Sequence, residues 1–196
     1  NWTWEKQPLH LFARHYKPAD TLPDQLSERM VAARHFMGGW AQMRQLSLGT
    51  VHLELHGKLS PQLRASAARY SEEELDVLQA DLVMEFGRES FKSFVIGPNF
   101  AELHILAVFT HLFSGGYAAA YYSYLWSEVL DADVFTRFHQ EGIFNRDTGR
   151  SYVNSILSRG DSDEPGALFR EFMGRDPDPT ALLVRNLGPE PAYKTR

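Results

Sequence analysis

The 196 residues include no cysteine, so disulfides and thiolate metal sites are excluded; a reducing compartment is compatible. No apolar run reaches the ~20 residues a helix needs to cross a bilayer. The longest apolar stretches are broken by His104, Thr110 and His111, or by Ser123 and Ser127, so no membrane association is expected. Positive charge is in deficit: 20 Lys and Arg against 25 Asp and Glu leave a net charge of −5. Without a broad positive field to neutralise phosphates, the composition argues against a general nucleic-acid binder as well. There is no internal repeat, no low-complexity tract and no Pro/Gly/Ser-rich linker, which points to one domain, residues 1–196. The chain begins Asn1-Trp-Thr-Trp-Glu-Lys6, with neither an initiator Met nor a signal-peptide pattern. It therefore reads as a fragment, a processed product or a truncated paralogue.

What is present is ordinary for a globular protein: 43% hydrophobic and 23% charged residues. A chain of this size buries roughly 70% of the surface its unfolded form exposes. Helical signals dominate. Thr21-Leu-Pro-Asp24 reads as a helix start with Thr21 as cap, followed by Leu22, Leu26, Met30 and Ala33 and interrupted at Gly38-Gly39. Ser71-Glu-Glu-Glu74 is a capping box, leading into Leu75, Leu78, Leu82, Val83 and Phe86 on one face with Gly87 as a stop. Gly97-Pro98-Asn99 is a strong turn signal. Helices are expected over about 101–113 and 117–139, the two separated by Ser114-Gly115-Gly116. Gly142 and Gly149 read as turns. Further helices are expected over 152–158 and 167–173, the latter stopped by Gly174, and from after Asp178-Pro179 to Gly188. The tail over 189–196 is expected to fray. The expected class is all-α, with at most a short strand or two.

The informative stretch is His111-Leu-Phe-Ser-Gly-Gly-Tyr-Ala-Ala-Ala-Tyr-Tyr-Ser-Tyr-Leu-Trp-Ser-Glu128. A helix ends at a Ser-Gly-Gly joint, where glycine opens backbone angles closed to other residues. Continued as a helix, the chain would place Tyr117, Tyr121, Tyr124 and Glu128 on one face, at spacings of four, three and four. Ala119, Tyr122, Trp126 and Val129 would fall on another, core-like face. A neutral phenol O–H aimed at a tetrahedral oxyanion stabilises it without giving up its proton, and one such donor is worth on the order of 3 kcal/mol. Against this stands the plain reading, in which tyrosines pack well and their hydroxyls reach a rim. Chemistry alone leaves the two readings about equal.

A resemblance tips the balance. Gly115-Gly-Tyr-Ala-Ala-Ala-Tyr-Tyr-Ser-Tyr-Leu-Trp-Ser-Glu-Val-Leu130 resembles the signature of the M3 family of zinc oligopeptidases. Glu141-Gly-Ile-Phe-Asn-Arg-Asp-Thr-Gly149, Ile156-Leu-Ser-Arg-Gly160, Phe172-Met-Gly-Arg-Asp-Pro177 and Ala181-Leu-Leu183 are similar to the same family. So are Asn1-Trp-Thr-Trp-Glu5, Arg14-His-Tyr16 and Leu22-Pro23, and the likeness is weakest from Gly57 to Asn99. The resemblance implies a largely helical fold with a narrow channel for short peptides. It also implies one zinc ion that activates water, with a glutamate as general base. The zinc ligands of such an enzyme are the two histidines of His-Glu-x-x-His and a glutamate roughly 25 residues further on. By the resemblance these lie before Asn1, so this chain is expected to bind no metal itself. What it is expected to carry is the other wall of the site. Tyr117 and Tyr124 are its catalytic hydrogen-bond donors, His111 and Tyr121 substrate contacts, and Gly115 and Gly116 a loop that brings the tyrosines inward.

His52-Leu-Glu-Leu-His56 invites a metal reading. On a helix His52 and His56 share a face and Glu54 points away; on a strand all three would share one face, which is more often an amphipathic surface. His104 and His111, seven apart, lack a third ligand. Glu72-Glu73-Glu74 reads as a helix N-terminus, and Asp161, Asp163 and Glu164 as a solvated helix start rather than a calcium loop. Trp2 and Trp4 read as packing. The leading expectation is thus part of a cytoplasmic zinc-dependent metalloendopeptidase acting on short peptides. The missing N-terminal part of the same peptidase would complete the site, and these 196 residues alone would be inactive. The alternative is a non-catalytic helical peptide-binding module.

Overall fold

A computed structural model of the chain describes residues 1–17, 21–67, 69–94, 104–112 and 114–188. Among the described residues every regular element is helical, and the only β pairing is an isolated bridge between Arg14 and Thr21. The all-α class expected from the sequence is what the chain adopts. In chain order the helices are α1 (Lys6–Phe12), α2 (Asp24–Arg34), α3 (Gly38–Glu54), α4 (Ser60–Ala67), α5 (Glu72–Phe91), α6 (His104–Val108), α7 (Ser123–Glu141), α8 (Arg146–Tyr152), α9 (Pro165–Met173) and α10 (Thr180–Leu187). A π-helical turn, Leu55–Leu59, carries α3 into α4, and another, Val153–Leu157, extends α8. The turn at Gly97-Pro98-Asn99 and the tail from Pro189 lie outside the described residues. The chain divides into two compact units, Asn1–Gly39 with Trp126–Arg196, and Trp40–Leu125.

The first unit is built on Val134, Phe135, Phe138, Phe169 and Phe172. Trp2 packs edge-on against Phe135 and Phe138, at 4.8 and 5.0 Å, and its Nε1 donates to the Ile143 carbonyl at 3.2 Å. Trp4 lies beneath the Arg34 guanidinium, 5.0 Å from its ring centre. Both tryptophans pack, as expected. Helix α9 opens on Pro165 and closes on Gly174, whose φ of +72° is the left-handed cap glycine favours. At α8 the sequence pattern misplaced the start. The Asn145 side chain accepts from the Asp147 and Thr148 amides at 2.9 and 3.3 Å, so the helix begins at Arg146 and Gly149 lies inside it. Thr21 caps nothing; Pro23 occupies the N-cap position of α2. Beneath the apolar core, Asp133 is buried and takes both Arg175 guanidinium N–H groups at 2.6 Å and the Asp178 amide at 2.7 Å.

The second unit packs Leu48, Val51, Leu55 and Leu59 of α3 and its π turn against Phe91, Leu106, Phe109 and Leu112. Leu82, Val83 and Phe86 of α5 join this core from its edge. The capping box of α5 is present: the Ser71 amide donates to Glu74 Oε2 at 2.9 Å and the Glu74 amide to Ser71 Oγ at 3.4 Å. Gly87 does not stop the helix, which runs on to Phe91. A Cβ there would sit 2.2 Å from Leu106 Cδ1, so the glycine serves close packing instead.

Candidate functional site

The site is built where the sequence expected a helix and the chain makes turns. After the 3₁₀ turn Thr110–Leu112, the Ser114 hydroxyl donates back to the Thr110 carbonyl at 2.7 Å. Gly115 and Gly116 then take φ of +69° and +74°, and Ala119 takes +57°. Left-handed angles at these points break the α path, so α7 begins only at Ser123 and residues 117–122 form successive turns. Turn bonds from Ala120 N to Tyr117 O (2.8 Å) and from Ser123 N to Ala120 O (3.0 Å) satisfy the backbone along the way.

The predicted helical face therefore does not exist, yet its tyrosines meet. Tyr117 stacks on Tyr124 with ring centres 5.7 Å apart and planes 9° from parallel. Tyr121 meets Tyr124 edge-on at 5.1 Å, and His111 faces Tyr117, Tyr121 and Tyr124 at 5.1, 5.5 and 5.9 Å. The Tyr124 hydroxyl lies 3.3 Å from His111 Nε2, the imidazole tautomer deciding which donates. The Tyr121 hydroxyl donates to Gln45 Oε1 of α3 at 3.1 Å. Phe109 forms the buried floor, edge-on to Tyr121 at 4.9 Å. His111, Tyr117 and Tyr121 are half-buried and Tyr124 is 40% exposed, so the phenols stand at the surface rather than in a closed interior. Glu128, expected on the same face, holds Arg185 at 3.1 Å. The expected core face is corrected too: Val129 is buried, but Tyr122 and Trp126 are each 53% exposed. Tyr122 sits in the turns, where the assumed helical register does not apply, whereas Trp126 lies within α7 on an exposed face.

The Tyr117 hydroxyl beside it, together with burial, pushes the Tyr124 phenol above its ordinary 10.0. Tyr124 is thus a neutral O–H donor across the physiological range. Beneath the cluster, His52 is fully buried; burial first, then the neighbouring His56 and His111, lowers its pKa from 6.5 despite a hydrogen bond to the Leu112 carbonyl that favours the proton.

The histidines that invited a metal reading have other partners among the described residues. His52-Leu-Glu-Leu-His56 is helical, running from α3 into the π turn, and Glu54 turns away to Lys58 at 2.5 Å and Ser90 at 2.8 Å. Both imidazoles direct Nε2 at the Leu112 carbonyl, at 3.4 and 2.8 Å. The side chain of His104 lies outside the described residues. Among the described residues no three His, Asp or Glu side chains converge. The sequence reading missed Gln45 and Phe109 as supports of the cluster and saw His52 only as a metal decoy. Its apolar setting between Val51 and Leu53 was the one available signal for a buried role.

A helical frame thus holds three phenols, an imidazole and a paired-glycine turn together at one surface. The particular frame is identified by its sequence: the chain belongs to peptidase family M3, whose model matches residues 1–186. It is 39% identical over 183 residues to oligopeptidase A of Escherichia coli and 38% identical over 183 residues to that of Salmonella typhimurium; each match covers 93% of this chain and 25% of the relative. A probable cytosolic oligopeptidase A of Arabidopsis thaliana is 38% identical over 191 residues, covering 95% and 25%. The chain thus spans about a quarter of the length of the curated relatives it matches. Among the described residues no helix is long and apolar enough to cross a membrane.

Proposed function

We propose that this chain is part of a cytoplasmic zinc-dependent metalloendopeptidase that cleaves short peptides, and that it forms the wall of the substrate channel opposite the metal. Tyr124 and Tyr117 donate hydrogen bonds to the oxyanion that forms when water adds to the scissile carbonyl. His111 and Tyr121 contact the peptide, and Gly115-Gly116 lets the tyrosine segment move toward it. The observation that carries this reading is the gathering of three phenols and an imidazole beside the glycine turn, with Tyr124 exposed and its O–H held protonated. Neutral donors aimed at developing charge act without proton transfer, which suits phenols whose pKa is raised. The zinc and its ligands belong, on this reading, to polypeptide outside this chain; within it, His52 and His56 face the Leu112 carbonyl and His111 meets the Tyr124 hydroxyl.

The test is a quenched fluorescent peptide offered to the intact protein and, separately, to the 196 residues alone. The intact protein is expected to cleave it and to lose activity with a chelator; the shorter chain is expected to cleave nothing. Peptide binding by the intact protein with no cleavage at any zinc concentration would replace this reading with the non-catalytic binding module.

A further inference from the structure

We infer that His52 is a positioning residue that mounts the tyrosine cluster: its Nδ1 accepts the Tyr121 backbone N–H while its ring borders the Leu112 carbonyl, tying α3 to both shoulders of the glycine turn. The Tyr121 amide is 3.3 Å from Nδ1, across 69 residues of sequence. An N–H can donate only to an unprotonated ring nitrogen, so this contact selects the neutral imidazole with its proton on Nε2. That Nε2–H faces the Leu112 carbonyl at 3.4 Å, a long contact, while His56 Nε2 lies on the same oxygen at 2.8 Å. The carbonyl is therefore held chiefly by His56, and the distinctive duty of His52 is the Tyr121 amide.

This arrangement accounts for what the turns leave open. Residues 117–122 have no continuous helical ladder to orient them, and Tyr121 begins the approach to α7. One α3 surface meets Tyr121 twice, with His52 at its backbone and Gln45 at its hydroxyl. Tyr121 in turn faces His111 and Tyr124. Fixing Tyr121 thereby fixes the phenols on either side of it. His52 is fully buried, with ring contacts to His56, Phe109 and Tyr121 at 5.0, 5.7 and 6.2 Å, and touches no space where a peptide would lie. It acts through Tyr121 and not on a substrate.

The consequence for turnover rests on the peptidase reading above; the consequence for the Tyr121 amide does not. Two substitutions in the intact protein separate acceptor from packing. His52→Asn keeps an acceptor near the position of Nδ1 but gives up the ring; His52→Phe keeps a ring among Phe109, His56 and Tyr121 but has no acceptor. Hydrogen exchange of the segment containing Tyr121 is expected to speed up at least tenfold in His52→Phe and to stay within about threefold of wild type in His52→Asn. Cleavage of a fluorescent peptide is expected to follow, kcat falling about tenfold in His52→Phe with KM little changed, and recovering in His52→Asn. The reverse order, Phe tolerated and Asn damaging, or equal exchange in all three proteins, overturns the inference. Should His52→Phe not fold, unprotected Tyr121 exchange in His52→Asn overturns it by itself. A wild-type protein that cleaves no peptide would sink the peptidase reading and leave the exchange comparison to decide the role of His52.

Discussion

Removing one oxygen atom, in Tyr124→Phe, separates the chemical role of the site from its packing. The phenylalanine ring keeps the parallel stack on Tyr117 and the edge contacts with Tyr121 and His111, because none of them involves the hydroxyl. What is lost is one 3.3 Å hydrogen bond to His111, at a side chain 40% exposed, where water replaces the lost partner. The melting temperature is therefore expected to stay within about 2 °C of wild type. Loss of one oxyanion donor lowers kcat on the order of 10² to 10³-fold. Because the donor acts mainly in the transition state, KM changes only a few-fold. The assay is steady-state cleavage of a quenched fluorescent peptide by the intact protein, with circular dichroism as the folding control. The raised pKa of Tyr124 adds a second readout: below its ordinary 10.0 the phenol stays protonated, so wild-type kcat shows no descending limb from this group there. A kcat within threefold of wild type, in a folded variant at full metal occupancy, would refute the oxyanion assignment.

Gly116→Ala tests the turn itself. Its φ is +74° and a Cβ would meet nothing within 4 Å, so the effect is one of backbone strain, roughly 1–2 kcal/mol, read as a lower unfolding midpoint and a several-fold drop in kcat/KM. Asp133→Ala strips two guanidinium contacts and an amide contact from a buried carboxylate site. Arg175 is 45% exposed and can rehydrate, so the cost is about 3 kcal/mol, toward the low end for a broken buried pair, measurable by urea unfolding. Acid should weaken the second unit through His52. Its folded pKa lies below 6.5, so as pH falls past 6.5 the unfolded chain binds a proton before the folded one does. Stability from this group is full above that value and declines until the folded pKa is reached. Comparing unfolding midpoints at pH 7 and 5 in wild type and His52→Asn isolates it, and an equal acid loss in both would remove His52 as the cause.

Legibility varied with the range of the interaction. The start of α5 was readable because Ser71 and Glu74 are three residues apart and satisfy each other's amides. The stop of α9 was readable because Gly174 needs only its own φ. Gly87 misled because a glycine signals either a break or a close approach, and Leu106, which decides between them, is distant in sequence. The tyrosine grouping was anticipated for the wrong local reason. Spacing assumed an unbroken helix, while Gly115, Gly116 and Ala119 take left-handed angles and assemble the same rings through turns.

From the sequence alone came the all-α class, the M3 membership, carried by ordered blocks across most of the chain, and the tyrosines and histidine that gather beside the paired glycines. The tertiary structure decided that Tyr117 and Tyr121 stand outside the helix, that His52 is neutral and committed to the Tyr121 amide, and that Asp133 is buried against Arg175. The division has a physical cause. Caps, cap glycines and family blocks are encoded over a few adjacent residues. The charge state and partners of a buried polar group depend on segments 42 to 69 residues away, which meet only when the helices pack.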